Sequence, residues 1–77
     1  MKEVVEYLAR HLVDDPDAVQ VAEEEGERSV VLRLTVAPED MGKVIGKRGR
    51  TVRAIRSLVR AAGSRQGVST MVEIVET

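Results

Sequence analysis

The stretch that decides the fold is Gly42–Arg56, with the sequence GKVIGKRGRTVRAIR. Aliphatic residues recur at helical spacing on both sides of Gly46 and Gly49, which enclose two cationic side chains, Lys47 and Arg48. Glycine interrupts a helix because it loses more conformational freedom on folding than any other residue. The stretch therefore predicts two helices that meet at a four-residue turn bounded by glycines.

The chemistry of this turn suits a phosphate group. Gly46 and Gly49 leave no Cβ in the way, so a phosphate can approach main-chain N–H groups closely. The second helix begins just after the turn, and its unpaired N–H groups and positive dipole end point to the same place. Lys47 and Arg48 add full charges, which Arg50 extends along the chain. We therefore expect the turn to hold a sugar–phosphate backbone without reading its sequence.

Other glycine-containing motifs do not match this stretch. A P-loop needs four residues between its glycines and then Lys-Ser or Lys-Thr. Here three residues separate Gly42 from Gly46, and Arg48 follows Lys47. The dinucleotide fingerprint GxGxxG is absent. The spacing of Gly42 and Gly46 also occurs in membrane-helix dimers, but the basic residues around it exclude a lipid environment.

The N-terminal part of the chain predicts a helix followed by an antiparallel hairpin. Apolar residues recur every four positions over residues 2–13, and the Asp-Pro run after them ends that helix. Residues 18–23 and 29–36 are strand candidates, joined by a polar turn at residues 24–27 in which Gly26 can take a positive φ. The second strand alternates, and its core face is expected to consist of Val30, Leu32, Leu34 and Val36.

The C-terminal half predicts two helices and a last strand. Pro38 suits the first turn of a short helix over residues 38–45, because a missing N–H costs nothing there. A longer helix follows over residues 50–63, its exit marked by glycines, and residues 68–75 form the strand. On the longer helix, the packing face is expected to carry Val52, Ile55, Leu58, Val59 and Ala62, and the cationic face Arg53, Arg56 and Arg60.

The element order αββααβ indicates an α+β fold in a single domain over residues 1–77. We expect a two-layer sandwich in which helices cover one face of a three-stranded sheet. At this length only about 60% of the unfolded chain's surface is buried, so the stability should be modest.

Charge is distributed very unevenly along the chain. The net charge is −1, but residues 1–40 sum to −7, residues 41–65 to +8 with no acidic residue, and residues 66–77 to −2. Because local potential rather than net charge steers a polyanion, this distribution favours a nucleic-acid partner.

Several other classes of function find no support in the residues. There is no cysteine for a disulfide or a thiolate metal site, and the single histidine, His11, has no second ligand at suitable spacing. No serine has a nearby base, so we expect neither catalysis nor a cofactor. The N-terminus is too charged for a signal peptide or a membrane span. Tyr7 is the only aromatic residue, so base stacking must be limited.

The motif around the glycine-bounded turn and the order of the predicted elements are similar to those of a known family. VIGKRGRTVRAI, residues 44–55, resembles the signature of KH domains, and the αββααβ order resembles their type II arrangement. The whole chain resembles the KhpA family of small bacterial KH proteins. The shared features are the opening helix, the LVD-x-PD turn, the APED-x-GKVIGK-x-GR stretch and the closing strand.

The resemblance implies a cytoplasmic, non-catalytic protein that binds single-stranded RNA in a groove of about four nucleotides. It also implies a probable RNA chaperone that pairs with itself or with a larger KhpB-like protein, with effects on RNA levels, cell elongation and cell-wall homeostasis. By position, the clamp consists of Gly46, Lys47, Arg48 and Gly49. The aliphatic groove would be lined by Val44, Ile45 and Val52, with Leu34 or Val36 on the strand side, and Arg50, Arg53 and Arg56 would continue the RNA-binding surface.

One feature of the chain opposes RNA binding, and two alternative functions remain open. The resemblance places the acidic hairpin, residues 23–27, at the other wall of the groove, where it is either a solvated turn or a filter against long or duplex RNA. An outward strand face with Val31, Met71 and Val75, together with the helix over residues 50–63, favours a dimerising protein-interaction subunit. The helix over residues 50–63 could instead read duplex DNA, although the flanking strands and the paired glycines argue against a helix-turn-helix.

Overall fold

The computed structural model describes residues 1–76 and shows helices packed on a three-stranded sheet. The elements in chain order are α1 (Lys2–Leu12), β1 (Gln20–Gly26), β2 (Ser29–Val36), α2 (Met41–Ile45), α3 (Arg50–Gln66) and β3 (Ser69–Glu76). Short 3-10 turns precede β1, α2 and α3, at Pro16–Ala18, Pro38–Asp40 and Lys47–Gly49. The predicted order αββααβ and the α+β class are confirmed.

The sheet is mixed, with β2 between its two neighbours. β1 runs antiparallel to β2, with Gln20 opposite Thr35, and β3 runs parallel to β2, with Ser29 beside Ser69. A parallel neighbour needs a crossover, and α2 and α3 supply it by returning the chain to the end of the sheet where β2 begins. As a result β3 is an edge strand, and α3 packs against it.

The core lies between the helices and one face of the sheet. The alternation of β2 is confirmed, because every second residue from Val30 is buried and Leu32 and Leu34 have no exposed surface. Full burial of one such side chain contributes about 1.5–3 kcal/mol. The helical layer contributes these buried residues: Val5 and Ala9 from α1, Val44 from α2, and Val52, Ile55 and Val59 from α3.

The hairpin between β1 and β2 is tighter than predicted. Strand β1 continues through the glutamates to Gly26, so the prediction of a turn at residues 24–27 is wrong. The residue with the positive φ is Arg28, at 60°, and not Gly26. Gly26 faces Ser29 across the hairpin, and a Cβ there would lie 2.7 Å from the Ser29 Oγ. Gly26 has no positive φ, and the Ser29 hydroxyl that a Cβ would crowd belongs to a side chain that can rotate, so neither feature requires a glycine here.

Helix α3 is longer than predicted. It runs through Gly63 to Gln66, and Gly67 caps it with a φ of 72°. Gly63 is buried, and a Cβ there would lie 2.4 Å from the Thr70 Cγ2 of the returning strand. Leu58, expected on the packing face, is 55% exposed, because α3 presents its Val52–Gly63 side to the sheet.

Candidate nucleic-acid interface

The glycine-bounded turn, Gly46–Gly49, has a backbone that its sequence explains. Gly46 has φ 77° and ψ 170°, a region open essentially to glycine alone. A Cβ at Gly46 would also lie 2.2 Å from the Thr51 Oγ1 and 2.8 Å from the Thr51 main-chain N. Arg48 and Gly49 then both adopt left-handed conformations, with φ 58° and 73°. The predicted interruption between two helices is confirmed, and Gly46 is its most constrained position.

Hydrogen bonds inside the turn occupy several of its main-chain donors. The Gly46 N–H donates to the Gly42 carbonyl at 2.8 Å, and the Gly49 N–H donates to the Gly46 carbonyl at 3.1 Å. The Arg50 N–H donates to the Lys47 carbonyl. These three N–H groups therefore do not point free towards a ligand, as the sequence had suggested. The capacity of the turn to bind an anion therefore rests on its side chains and on main-chain N–H groups other than these three.

Those side chains are well placed for this role. Lys47, Arg48 and Arg50 are exposed, and none of them forms a salt bridge with any residue in the described range 1–76. Three cations within four consecutive residues, next to the positive end of a 17-residue helix, make a local site for a polyanion.

The arginines further along α3 are engaged with the protein itself. Arg53 donates from Nη2 to the Arg48 carbonyl at 2.8 Å and from Nε to the Gly49 carbonyl at 3.3 Å. Arg56 donates from Nη2 and Nε to the Val72 carbonyl of β3, at 3.2 and 3.3 Å. The sequence grouped both with the exposed cations, and the structure separates them from that group.

The expected aliphatic lining of the groove needs correction. Val44, Leu34 and Val36 have no exposed surface and Val52 is 7% exposed, so these side chains belong to the core. Only Ile45, at 37%, presents a substantial surface. The regular spacing of these apolar residues indicates that they pack in the core. It does not indicate that they contact a ligand, least of all on β2, the central strand of the sheet.

An open groove lies instead between α3 and the edge strand β3. It is lined by Arg56, Arg60 and residues 70–74. Sequence reasoning missed the strand side of this groove, because it assigned that wall to β2. The available signal was the crossover itself, since the two helices between β2 and β3 are long enough to join parallel neighbours and so allow β3 to lie beside β2.

The acidic hairpin lies at the other end of the molecule from the turn. Ser69, at the start of β3, donates its N–H to the Arg28 carbonyl, so the hairpin adjoins the C-terminal end of α3. The turn adjoins the N-terminal end, and 17 residues at about 1.5 Å each put roughly 25 Å of helix between them. Glu24 also pairs with Arg33 on the sheet. The hairpin is therefore not a wall of the groove near the clamp, and its exposure agrees with a solvated end of the sheet.

A buried carboxylate anchors the start of α2. Asp40 is 1% exposed and accepts the N–H groups of Asp14 and Asp15 at 3.2 and 3.1 Å, while Lys43 lies 3.6 Å from it and also pairs with Asp14. Burial alone would raise the pKa of Asp40, but the two N–H groups and the Lys43 charge outweigh it, so the pKa lies below its ordinary value. This contact ties the segment after α1 to the helix that leads into the turn.

The structure gives no support for a metal site, a membrane-spanning helix or a chemical role of His11 within residues 1–76. Residues 1–76 contain no cluster of three potential metal ligands, and none of their helices is both long and apolar enough to cross a membrane. The His11 Nδ1 donates to the Tyr7 carbonyl at 2.8 Å, and the two rings lie 4.3 Å apart. His11 therefore has a local structural partner on α1.

Two helices joined by a glycine-bounded cationic turn, packed on a three-stranded sheet in the order αββααβ, define a type II KH domain. The family model described as the KhpA/KhpB KH domain matches residues 2–74. A curated relative from Clostridium acetobutylicum, named RNA-binding protein KhpA, is 53% identical over 75 residues, which cover 97% of this chain and 100% of the relative. Relatives of the same name from Aquifex aeolicus and Chlamydia trachomatis are 47% and 45% identical over 76 residues, covering 99% of this chain and 96% and 97% of theirs. The chain belongs to the KhpA/KhpB KH-domain family.

Proposed function

We propose that this protein is a non-catalytic, cytoplasmic RNA-binding domain that holds single-stranded RNA by its backbone. The observation that carries the proposal is the group of three exposed cations, Lys47, Arg48 and Arg50, which form no salt bridge within residues 1–76 and lie at the start of the helix that lines an open groove further along. Its relatives bear the name RNA-binding protein KhpA, which supports RNA as the polyanion.

In this proposal, RNA phosphates contact the cationic turn. The RNA strand then continues along the groove between α3 and β3. The single aromatic residue, Tyr7, lies on α1 and supplies no stacking platform there. One domain should therefore bind weakly and discriminate little between sequences. A duplex would need a helix inserted in its major groove, but α3 packs along β3, which disfavours the DNA-reader alternative.

The salt dependence of RNA binding tests the proposal. Three phosphate contacts on a single strand give a slope of log K against log salt near −2, since each contributes roughly −0.7. The double variant Lys47→Gln/Arg48→Gln should bind more weakly and reduce the slope to about −0.7. The double variant Lys2→Gln/Arg65→Gln removes the same charge from residues outside the turn and serves as the matched control.

The fold of the Lys47→Gln/Arg48→Gln variant is checked by circular dichroism. If this folded variant has the same RNA affinity and salt slope as the parent, the cationic turn is not the RNA-binding site. Competition between single-stranded RNA and duplex DNA of equal length tests the class of nucleic acid. A preference for the duplex would overturn the proposal.

We further propose that the protein acts as an RNA chaperone with a larger KhpB-like partner, in the control of RNA levels, cell elongation and cell-wall homeostasis. Support comes from the family, whose model covers KH domains of both KhpA and KhpB. Affinity purification of the tagged chain from its own cells should recover a larger KH-containing protein. Its absence, under conditions in which RNA is retained, would contradict the partnership.

A second candidate function is that of a dimerising subunit, and two exposed surfaces favour it. On α3, Leu58 is 55% exposed beside Ala61 and Ala62. On the outer face of the sheet, Met71 and Val75 are 58% and 43% exposed. The sheet surface is interrupted, because Arg33 lies on it and pairs with glutamates of both neighbouring strands. The α3 surface is therefore the better candidate for self-association.

Analytical ultracentrifugation over a wide concentration range tests this candidate. A dimer that Leu58→Asp converts to a folded monomer would support the α3 surface, while Met71→Asp serves as the control on the sheet face. A strict monomer at high concentration would refute self-association.

A further inference from the structure

Arg53 is bound to the very turn that carries the exposed cations. Its guanidinium donates to two successive main-chain carbonyls, those of Arg48 and Gly49. A planar guanidinium suits this arrangement, because it presents several N–H donors in a fixed fork. The side chain therefore bridges the first turn of α3 and the last two residues of the loop before it.

This bridge completes the hydrogen bonding of two peptide groups. In the peptide group that joins Arg48 to Gly49, the carbonyl accepts from Arg53 and the N–H donates to the Gly46 carbonyl at 3.1 Å. In the next one, the carbonyl accepts from Arg53 at 3.3 Å and the N–H donates to the Lys47 carbonyl. Each group is held at both ends, which leaves neither of them free to rotate.

The backbone of the turn needs such support. Arg48 has φ 58°, which is unfavourable for a residue with a Cβ, and Gly49 continues the left-handed conformation at φ 73°. No side-chain hydrogen bond caps α3 at Gly49. Arg53 is the side chain whose recorded contacts fix both left-handed residues.

We propose that Arg53 is a positioning residue and not a phosphate contact. It holds the turn in the conformation that directs Lys47 and Arg48 outwards, and its Nε and Nη2 donors are directed at the two carbonyls rather than at a ligand. This inference rests on the proposed function, because it assigns a role within the same RNA-binding turn. It replaces the direct RNA contact that the family resemblance implied for Arg53.

Four variants separate positioning from direct contact: Arg53→Gln, Arg53→Lys, Lys47→Gln and Arg65→Gln. Lysine keeps the charge of Arg53 but cannot donate to both carbonyls from two nitrogens. We expect both Arg53 variants to bind single-stranded RNA about five-fold more weakly, the effect of one lost hydrogen bond, with an unchanged salt slope. Lys47→Gln should make the slope shallower by about 0.7, and Arg65→Gln, in the last turn of α3, should bind as the parent does.

A measurement without RNA tests the bridge directly. In the free Arg53→Gln protein, amide hydrogen exchange at Gly49 and Arg50 should accelerate about five-fold or more relative to the core of α3, while the thermal midpoint shows that the fold is kept. Arg65→Gln should leave both amides at their parental exchange rates.

The outcomes are distinguishable from failure of the proposed function. No RNA binding by the parent would refute that function, and the exchange experiment would still test the bridge. If the parent binds RNA, Arg53→Lys binds it equally well and Arg53→Gln has a shallower slope of log K against log salt, Arg53 contacts a phosphate directly. That result would overturn the inference. Unchanged amide exchange at Gly49 and Arg50 in Arg53→Gln would overturn it as well.

Discussion

Replacing Gly46 by alanine should be far more damaging than replacing Gly49, although both glycines bound the same turn. At Gly49 the backbone is left-handed with φ 73°, and the nearest atom to a new Cβ is the Val52 Cγ1 at 3.9 Å. That position is uncrowded, so alanine has only the left-handed conformation to overcome. The expected loss for Gly49→Ala is about 1–2 kcal/mol of unfolding free energy.

At Gly46 two penalties combine. The conformation with φ 77° and ψ 170° is strained by about 1–3 kcal/mol for any residue with a Cβ. The new Cβ would also lie 2.8 Å from the main-chain N of Thr51, which cannot move without displacing the start of α3. We therefore expect Gly46→Ala to lose at least about 3 kcal/mol. A chain of this length has roughly 4–12 kcal/mol in total, so much of its stability would disappear.

Gly42→Ala supplies the control within the same motif. Gly42 lies inside α2, and no atom lies within 4 Å of a Cβ built there. Alanine should stabilise the protein by about 0.5–1 kcal/mol, as it does at ordinary helix positions. Urea unfolding of the three variants gives the free energies directly, provided the slope with denaturant stays constant. A Gly46→Ala variant as stable as Gly49→Ala would show that the described geometry of the turn is wrong.

Two further perturbations test one contact before the turn, at Asp40, and one at the far end of α3, at Gly63. Asp40→Asn should lower the unfolding midpoint at neutral pH, whereas Glu39→Gln, at the exposed neighbour, should not. Because the folded-state pKa of Asp40 is depressed, its contribution is present above the ordinary value of 3.8 and is lost as the pH falls through the lower folded-state pKa. The stability difference between parent and Asp40→Asn, followed by thermal unfolding against pH, should therefore be constant above about pH 4 and shrink below it. Gly63→Ala should cost about 1–3 kcal/mol through the contact with Thr70, and a gain, as in an ordinary helix, would contradict that packing.

Elements with an uninterrupted pattern could be predicted from the sequence. Strand β2 has the predicted bounds, and α1 ends within one residue of them, because alternating or four-residue apolar spacing there coincides with burial. Strand β1 was cut short in the prediction, since its Glu23–Glu25 run looks like a turn. Pairing with β2 outweighs the low strand propensity of those glutamates.

Glycines misled the prediction where no positive φ requires them. Gly26 and Gly63 both lack a positive φ, and at Gly63 a Cβ would lie 2.4 Å from the Thr70 Cγ2 and 3.0 Å from the Val68 carbonyl oxygen. A single sequence does not distinguish these glycines from the conformational ones at Gly46 and Gly67. The end of α3 and the hairpin turn were misplaced for this reason.

The positive charge of the candidate site could be predicted from the sequence. The hydrogen-bond partners of its side chains within the protein could not. The acid-free segment and the glycine-bounded turn identified the exposed cations Lys47, Arg48 and Arg50. Which arginines bind the protein itself depends on the direction of carbonyls in the turn and in β3, and no pattern of side chains records that direction. The contacts of Asp40 were likewise not predictable, since its donors, Asp14 and Asp15, are more than 20 residues away in the sequence.

The salt dependence of RNA binding therefore counts more than affinity alone. If every cation from Lys47 to Arg56 contacted a phosphate, five contacts would give a slope of about −3.5. With Arg53 and Arg56 bound to carbonyls, three contacts remain and the slope is about −2. A fluorescence anisotropy titration of labelled single-stranded RNA at several salt concentrations separates the two values. A slope near −3.5 would mean that both arginines leave their carbonyls on binding, and the turn would then be held by RNA rather than prepared for it.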